Sequence, residues 1–430
     1  MASAPAGYLL RDVILADGRL ADLRLVDGRI ADLTPAGGPN RPEDAGLRAV
    51  PANGLLALPA FVDIHAHLDK AYTRDDLGDH DGTLPAAIRA MGERKKRFTP
   101  EDVSERAERL IRAGVAEGVT HVRTHVDVDS ITGLRGLEGV SRAAEACRDI
   151  CRVSIVAFPQ LGIRSDPGGL ELMEAAVEAG ASIVGGMPHW EATREDQLAH
   201  VAALFDLAER HDLDVDMHVD ESDDASVRTL EMVAEATISH GWQGRVTAGH
   251  VCSLGAVDDD YASRVIAKCA EAALTIVSNP ATNLVIQGRG DRGLVRRGLT
   301  RIGEFRAAGV NVCLGQDNVC DGFYPFGRGS MLEVAFLGAH AAHLTGGDDL
   351  AYLLETITRA PARAWRDSVY GLRVGSPADL NLFRAPSWVE ALRLQRPPEL
   401  VFFKGRPVAS TAVSGTVGVM ETAESGRSGI

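Results

Sequence analysis

The sequence has no run of about 18 apolar residues, the length needed to cross a bilayer, so no membrane-spanning helix is expected. Its first residues also lack the basic segment and apolar stretch of a secretory signal. The six cysteines have no CxxC spacing. In a chain of this length, scattered cysteines are expected to be reduced thiols rather than a disulfide framework. These absences together predict a cytoplasmic protein.

Positive charge is scarce relative to negative charge. Lys and Arg number 45 against 60 Asp and Glu, and the formal net charge is -15. Neither nucleic acid nor an anionic membrane surface complements such a chain, so we exclude both as main partners. Apolar residues make up 45% of the sequence, which is enough to bury a substantial core. We therefore expect a globular protein that acts on a small molecule.

Both ends of the chain carry short alternating stretches separated by turn signals. Near the N-terminus the turns are Asp17-Gly18-Arg19 and Asp27-Gly28-Arg29, a pattern typical of hairpin strands. A similar pattern returns at 379–383 and 400–406. Strands from both termini are therefore expected to pair into one small β-sandwich domain.

The central body alternates short apolar runs with Ala-, Glu- and Arg-rich segments of helical spacing, such as 104–113 and 170–179. Strands and helices in alternation imply a parallel sheet with crossover helices. Eight candidate strands predict an α/β fold, a TIM-like (β/α)₈ barrel. The eight runs are 61–67, 121–128, 152–160, 182–188, 214–221, 245–252, 274–280 and 311–317.

Four segments follow from this organisation. Residues 1–58 and 371–410 are predicted to form the two parts of the β-sandwich domain, on either side of a barrel built from residues 59–370. Residues 411–430 are rich in Ser, Gly, Thr and Glu, and we expect them to be poorly ordered.

Residues capable of metal chemistry end several of the central runs. In a (β/α)₈ barrel this end of the strands carries the active site. His65 and His67 form an HxH pair, and alternate residues of a strand point to the same face. An HxH pair alone is as often incidental, but His218, His250 and Asp317 end the fifth, sixth and eighth runs. Because imidazole is a common ligand of divalent metals, the set predicts a metal site.

The order HxH, His-x-x-Glu, His, Asp resembles the amidohydrolase superfamily and, within it, the bacterial cytosine deaminases. The similarity extends to segments outside this motif. They are 120–129 (THVRTHVDVD), 155–163 (IVAFPQLGI), 188–195 (PHWEATRE), 285–289 (VIQGR) and 324–327 (YPFG). The resemblance implies one divalent metal per subunit, zinc or iron, and it suggests a homo-oligomer.

Carried over to this sequence, the resemblance assigns the metal to His65, His67, His218 and Asp317. The residues themselves also favour a single metal. Binuclear relatives bridge two metals with a carboxylated lysine on a middle strand, but this chain has no lysine between Lys96 and Lys268. Lys70, which closely follows the HxH pair, is in the wrong place for that role.

The expected reaction is hydrolytic deamination. A metal in this site would lower the pKa of a bound water, so that a metal-activated hydroxide attacks the ring carbon and ammonia leaves. Asp317 is expected to take a proton from that water, and His250 to orient the nucleophile. Glu221 is the candidate proton shuttle to the ring nitrogen and then to the departing amine. That role needs a raised pKa, which a closed, dry pocket provides.

Substrate contacts also follow from the resemblance, with two departures. Gln160 corresponds to a glutamine whose amide pairs with the edge of the base, and Phe323 to a pocket aromatic that is a Trp in familiar cytosine deaminases. The residue after the metal-binding aspartate is Asn318, where those enzymes carry a second aspartate. Gln316 stands where a His is common. Because an amide is neutral and both donates and accepts, the departures leave the substrate open.

The leading interpretation is a deaminase of cytosine or a close analogue. The Asp317-Asn318 pair and the sequence Leu68-Asp69-Lys70 after the HxH pair resemble the N-isopropylammelide amidohydrolases. An amino-triazine, a creatinine-like cyclic guanidine and an isomeric aminopyrimidine therefore stay as alternatives. A remote alternative is a metal-binding homologue without activity. The His-x-Glu and Pro-Cys-x-x-Cys motifs of nucleic-acid-editing deaminases are absent, so nucleic acid is set aside as a substrate.

Overall fold

The computed structural model describes residues 6–50, 52–78 and 81–413. Most of the predicted tail, residues 414–430, lies outside the described residues. Among the residues described, no helix combines the length and the apolar character that a membrane crossing requires.

Strands from both ends of the chain form one eight-stranded sheet, as predicted. The first three strands are antiparallel neighbours, and the turns between them fall at the two Asp-Gly pairs. Gly18 and Gly28 have φ of 84° and 76°, which glycine adopts without steric cost. The strands of this sheet are β1 (Gly7–Ile14), β2 (Leu20–Val26), β3 (Arg29–Pro35), β4 (Leu47–Val50), β5 (Leu56–Pro59), β14 (Leu380–Phe383), β15 (Leu400–Phe403) and β16 (Arg406–Ser410).

This sheet curls on itself instead of splitting into two sheets. Antiparallel hydrogen bonds between β5 and β14 join the N-terminal strands to the C-terminal strands. Two strands, β5 and β14, lie between β1 and β15 in the sheet, yet the rings of Tyr8 and Phe402 are only 5.6 Å apart. This sheet has a hydrophobic core of its own, separate from the core of the barrel. It contains Leu23, Ile30, Leu380 and Phe402, and Tyr8 packs against it. The predicted β-sandwich is therefore one continuous curled sheet.

The eight predicted central strands are confirmed, and all neighbouring pairs are parallel. The first and last strands close the barrel near the predicted site. The amide of Asp317 donates to the carbonyl of His65 at 2.7 Å, and the amide of His67 donates to the carbonyl of Asp317 at 3.2 Å. The strands are β6 (Phe61–Ala66), β7 (Val119–Asp127), β8 (Arg152–Phe158), β9 (Ile183–Gly186), β10 (Asp214–Val219), β11 (Val246–His250), β12 (Thr275–Ser278) and β13 (Asn311–Leu314).

Helices cover the outside of the barrel. The second begins after Thr99, whose hydroxyl accepts the N–H of Asp102, and it packs Val103, Ala107 and Leu110 inwards at helical spacing. The helices are α1 (Leu84–Lys95), α2 (Pro100–Ala116), α3 (Arg135–Ala146), α4 (Gly169–Glu178), α5 (Arg194–His211), α6 (Leu230–Ser239), α7 (Asp259–Glu271), α8 (Pro280–Ile286), α9 (Ile302–Ala307), α10 (Met331–Ala341), α11 (Gly347–Thr356), α12 (Arg359–Ala364) and α13 (Trp388–Leu394).

Several barrel strands end earlier than predicted because the polar residues at their ends leave the sheet. The eighth run was expected to extend to Asp317, but β13 ends at Leu314. Asp317 then adopts a left-handed backbone with φ of 67°, and His250 at the end of β11 has φ of 70°. Such conformations are uncommon outside glycine and concentrate at functional sites. The backbone therefore turns where the predicted site residues lie.

Candidate active site

The four predicted metal ligands meet at one end of the barrel. One ligand atom each from His65, His67, His218 and Asp317 lies within 4.8 Å of all the others. The Nε2 atoms of His67 and His218 are 3.1 Å apart. Asp317 Oδ1 lies 3.6 Å from Nε2 of His65 and 3.3 Å from Nε2 of His67. Strands β6, β10 and β13 thus bring together residues that are up to 252 positions apart in the sequence.

The chemistry of this cluster fits a divalent cation. All four residues are buried, at 0% to 3% exposure. Both ring nitrogens of His65, Nδ1 of His218 and Oδ2 of Asp317 have no hydrogen-bond partner among the described residues. A buried polar atom left unpaired costs about 1–3 kcal/mol, so several in one place indicate a binding site for a ligand. Convergent nitrogens and a carboxylate are a donor set that zinc or iron accepts.

Protonation also favours metal binding. Burial, followed by the charges of neighbouring histidines and of Lys70, lowers the pKa of His65 well below its usual value. Burial likewise lowers the pKa of His67 and of His218 well below the usual range. Neutral imidazoles have a free lone pair, which is the form that binds metals.

Two glycines make room for His65. A Cβ on Gly249 of β11 would lie 2.8 Å from Cε1 of His65, and a Cβ on Gly315 would lie 2.7 Å from its Cβ. Real Cβ atoms do not approach so closely. Because Gly249 and Gly315 have no side chains, the His65 side chain can pack directly against these two residues.

A second group of candidate ligands, His65, His125 and Asp216, overlaps with the first. Its carboxylate is already paired. Asp216 Oδ2 accepts from the Arg123 guanidinium at 2.9 Å, and Oδ1 lies 3.2 Å from Nε2 of His125. Because Asp317 of the first group retains an unpaired carboxylate oxygen, the first group is the better metal site.

Glu221 and His250 lie beside the cluster and share one partner. Asn283 in the middle of α8 donates through Nδ2 to Oε1 of Glu221 at 3.2 Å, and its Oδ1 lies 3.2 Å from Nδ1 of His250. Burial and then the charge of Asp317 raise the pKa of Glu221 well above its usual value. Burial lowers the pKa of His250 to about 4. Burial thus favours the neutral form of both side chains.

A small cavity opens onto these groups. Gln160, Asn318 and Phe323 all line it, as the sequence predicts for a substrate pocket. Gln316 is not among the lining residues, and its backbone N–H donates to Asp63 Oδ1 at 3.1 Å. The cavity is lined by His67, Lys70, Leu84, Ile88, Phe158, Gln160, Met187, His218, Glu221, Asp317, Asn318 and Phe323.

Lys70 is a cavity residue whose role sequence reasoning missed. Its ammonium is fully buried, pairs with Asp127, and lies 5.4 Å from the ring centre of Phe158 and 5.9 Å from that of Phe323. Lys95 binds the other oxygen of Asp127 at 2.7 Å. The only local signal was a lysine three residues after the HxH pair, at the mouth of a barrel strand.

Comparison with known proteins identifies the family. The profile of the amidohydrolase family matches residues 74–409. The chain therefore belongs to the amidohydrolase family, in agreement with the resemblance stated from the sequence.

Three relatives are similar over nearly the whole chain. A crystal structure of 5-methylcytosine deaminase from Klebsiella pneumoniae, liganded with 5-fluorocytosine, has a TM-score of 0.90 at 38% identity and covers 95% of this chain and 99% of that one. N-isopropylammelide isopropylaminohydrolase from Burkholderia multivorans has a TM-score of 0.82 at 31% identity, covering 94% and 98%. The pterin deaminase of Rhizobium rhizogenes is 33% identical over 94% of this chain and 88% of its own length.

Proposed function

We propose that the protein is a metal-dependent hydrolase that deaminates a small amino-oxo heterocycle, cytosine or a close analogue such as 5-methylcytosine. One observation carries the proposal. Four buried side chains that could hold a metal, three of them with unpaired atoms, lie beside Glu221, a carboxyl whose pKa burial raises. The 5-methylcytosine deaminase and pterin deaminase relatives support deamination. The metal would be a single zinc or iron ion held by His65, His67, His218 and Asp317.

The chain's own residues would divide the proton transfers. His65, His67, His218 and Asp317 would hold a divalent metal, which would supply an activated water as the nucleophile. Asp317 would take a proton from that water, and His250, held by Asn283, would orient the water. Glu221 would give its proton to the ring nitrogen next to the attacked carbon. The proton that Asp317 took from water would pass through Glu221 to the amine, and the hydroxyl proton released as the carbonyl forms would return to Glu221. A C–O bond forms, the C–N bond breaks, and ammonia leaves.

Hydrogen-bond donors in the cavity favour a substrate with a ring carbonyl. Gln160 Oε1 accepts from Lys95 Nζ at 3.3 Å, which leaves the Gln160 NH₂ group without a partner among the described residues. The Lys70 ammonium lies in the same cavity wall. Both donors complement a carbonyl oxygen of an oxo-pyrimidine.

A second candidate is removal of an alkylamine from a triazine. Asn318 follows Asp317 here, which is the feature shared with the N-isopropylammelide amidohydrolases. Leu84, Ile88 and Met187 give the cavity an apolar side that an alkyl group on the departing nitrogen could occupy. The Burkholderia relative supports this alternative.

A substrate panel tests the proposal. Purified protein, loaded separately with zinc and iron, is assayed for ammonia release from cytosine, 5-methylcytosine, isocytosine, creatinine and pterin, and for amine release from N-isopropylammelide. We expect turnover of cytosine or 5-methylcytosine, abolished in Glu221→Gln. Amine release with both pyrimidines inert would replace the proposal by the triazine alternative. Turnover of pterin alone would extend the substrate to two fused rings. A fully metal-loaded protein inert on the whole panel would count against deamination.

A further inference from the structure

The amide of Asn318 in the cavity wall has a fixed orientation. Its Nδ2 donates to Oδ2 of Asp321 at 2.6 Å. On the other side, the Thr282 hydroxyl donates to its Oδ1 at 3.5 Å. An ionised carboxylate can only accept hydrogen bonds, so Nδ2 faces Asp321 and Oδ1 faces away from it.

Asp321 is itself held in one orientation by the backbone. Its Oδ1 accepts the N–H groups of Phe323 at 2.9 Å and of Tyr324 at 3.0 Å, and this leaves Oδ2 for Asn318. The residue is 1% exposed and does not line the cavity. Burial raises the pKa of Asp321 to about 7 against the opposing effect of its N–H donors, so the group is ionised at about pH 8.5.

We propose that Asp321 is a positioning residue that sets the hydrogen-bonding polarity of Asn318 and so the group of the substrate that this wall accepts. With Nδ2 bound to Asp321, the carbonyl oxygen of Asn318 is the acceptor that remains for a ring N–H or an amino group. The inference rests on the proposed function, because it concerns how the same substrate is oriented. An aspartate at position 318 alone would instead face Asp321 as a second carboxylate.

Asp321→Asn inverts this arrangement without changing its shape. The carbonyl oxygen of the substituted amide retains the N–H groups of Phe323 and Tyr324, so its NH₂ group faces Asn318. Asn318 must then turn its oxygen towards that NH₂ group and its own NH₂ group outwards. In this variant the NH₂ group of Asn318 faces a ring N–H or amino group of the substrate, so two hydrogen-bond donors meet. On the pyrimidine that the wild type turns over best, we therefore expect kcat/KM to fall roughly 10- to 100-fold, mainly through KM.

A second substitution should reverse the loss. In the double variant Asn318→Asp with Asp321→Asn, the NH₂ group at position 321 meets a carboxylate, whose other oxygen is again an acceptor. We expect kcat/KM within about tenfold of wild type at about pH 8.5, well above either single variant. The matched control is Asp166→Asn, a carboxylate at 4% exposure that accepts the Ser130 N–H at 2.8 Å and does not line the cavity. We expect its KM to stay within about twofold of wild type.

Two results would overturn the proposal. One is an unchanged KM in Asp321→Asn on a substrate that the wild type turns over. The other is a double variant no better than Asp321→Asn, which would assign Asp321 a structural role only.

Thermal unfolding of the wild type, the single variants Asn318→Asp and Asp321→Asn, and the double variant tests the pairing independently of activity. No substrate is present in this measurement. We expect Asn318→Asp to lower the melting temperature by several degrees and Asp321→Asn to restore it in the double variant. Additive effects on melting would overturn the proposal. If the wild type is inert on the panel but the melting temperatures show coupling, the proposed function fails and the Asp321–Asn318 pairing stands.

Discussion

Two buried clusters of polar residues at the same end of the barrel differ in how their atoms are paired. The metal cluster of His65, His67, His218 and Asp317 has several buried atoms without a hydrogen bond. The second cluster is centred on Glu191, which is 3% exposed. Its carboxylate accepts from the backbone of 163–165, from the Ser165 hydroxyl at 2.7 Å and from His200 Nδ1 at 2.8 Å.

The second cluster is complete within the protein. The other nitrogen of His200 accepts the N–H of Met187 at 3.0 Å, so each ring atom that can bond does so. Glu191 thereby ties the loop after Gln160 to the start of α5. Burial of a histidine and a carboxylate therefore does not by itself indicate a catalytic site. Unpaired atoms indicate a place for a ligand, whereas paired atoms hold loops in place.

The largest expected difference is between His65→Ala in the metal cluster and His200→Ala in the Glu191 cluster. His65→Ala removes a metal-binding nitrogen, so we expect loss of bound metal and a fall in kcat greater than the roughly 10- to 100-fold typical of a supporting residue. His200→Ala should retain the metal but lower the melting temperature, because Glu191 loses a partner. Metal analysis and thermal unfolding of both variants measure the contrast. Full metal occupancy with a normal rate in His65→Ala would remove that residue from the site.

The second largest effect is expected in Glu221→Gln, which should lose catalytic activity without losing the metal. Glu221→Gln retains the size of the side chain but removes the proton that the mechanism moves. We expect kcat to fall roughly 10²- to 10⁴-fold while the metal content stays at the wild-type value. Steady-state kinetics and metal analysis on the same preparation check this. A variant as active as the wild type would show that another group transfers the proton.

A smaller effect concerns stability and pH. Burial acts to raise the pKa of Glu191, but the hydrogen bonds of His200 and the loop outweigh it and lower the pKa to about 2. Ionised Glu191 therefore stabilises the fold above its unfolded pKa of about 4.3, and this contribution is lost as the pH falls towards about 2. We expect Glu191→Gln to cost about 1–3 kcal/mol at neutral pH. Chemical unfolding at several pH values gives the difference in the free energy of unfolding between the wild type and Glu191→Gln. This difference should shrink below about pH 4. A difference that does not depend on pH would contradict the prediction.

The smallest effect is expected at the surface. Arg142 forms ion pairs with Glu101 and Glu138 that are exposed to solvent. Water screens such pairs, so Arg142→Ala should leave the melting temperature and kcat unchanged within error. A clear fall in the melting temperature or in kcat of Arg142→Ala would contradict the expectation that buried, paired side chains matter more than exposed ones.

The sequence predicted the parts of the molecule that have a periodic or local signal. Eight apolar runs predicted the barrel strands, and ligands at the ends of those runs predicted the cluster, because parallel strands end at the same side of a barrel. The contact of Lys70 with Asp127 was not predictable in this way, since it joins the ends of two different strands. Asn283 and Asp321 also have no local signal, because their roles depend on partners fixed by tertiary structure.

The requirement for a metal can be tested by removing the metal and adding it back. The protein is stripped with a chelator, and ammonia release from 5-methylcytosine and cytosine is followed as zinc or iron is added. We predict no turnover in the stripped protein and full recovery at one metal ion per chain. This prediction would be contradicted by a stripped protein as active as the original, or by a metal-loaded protein that releases no ammonia from either compound.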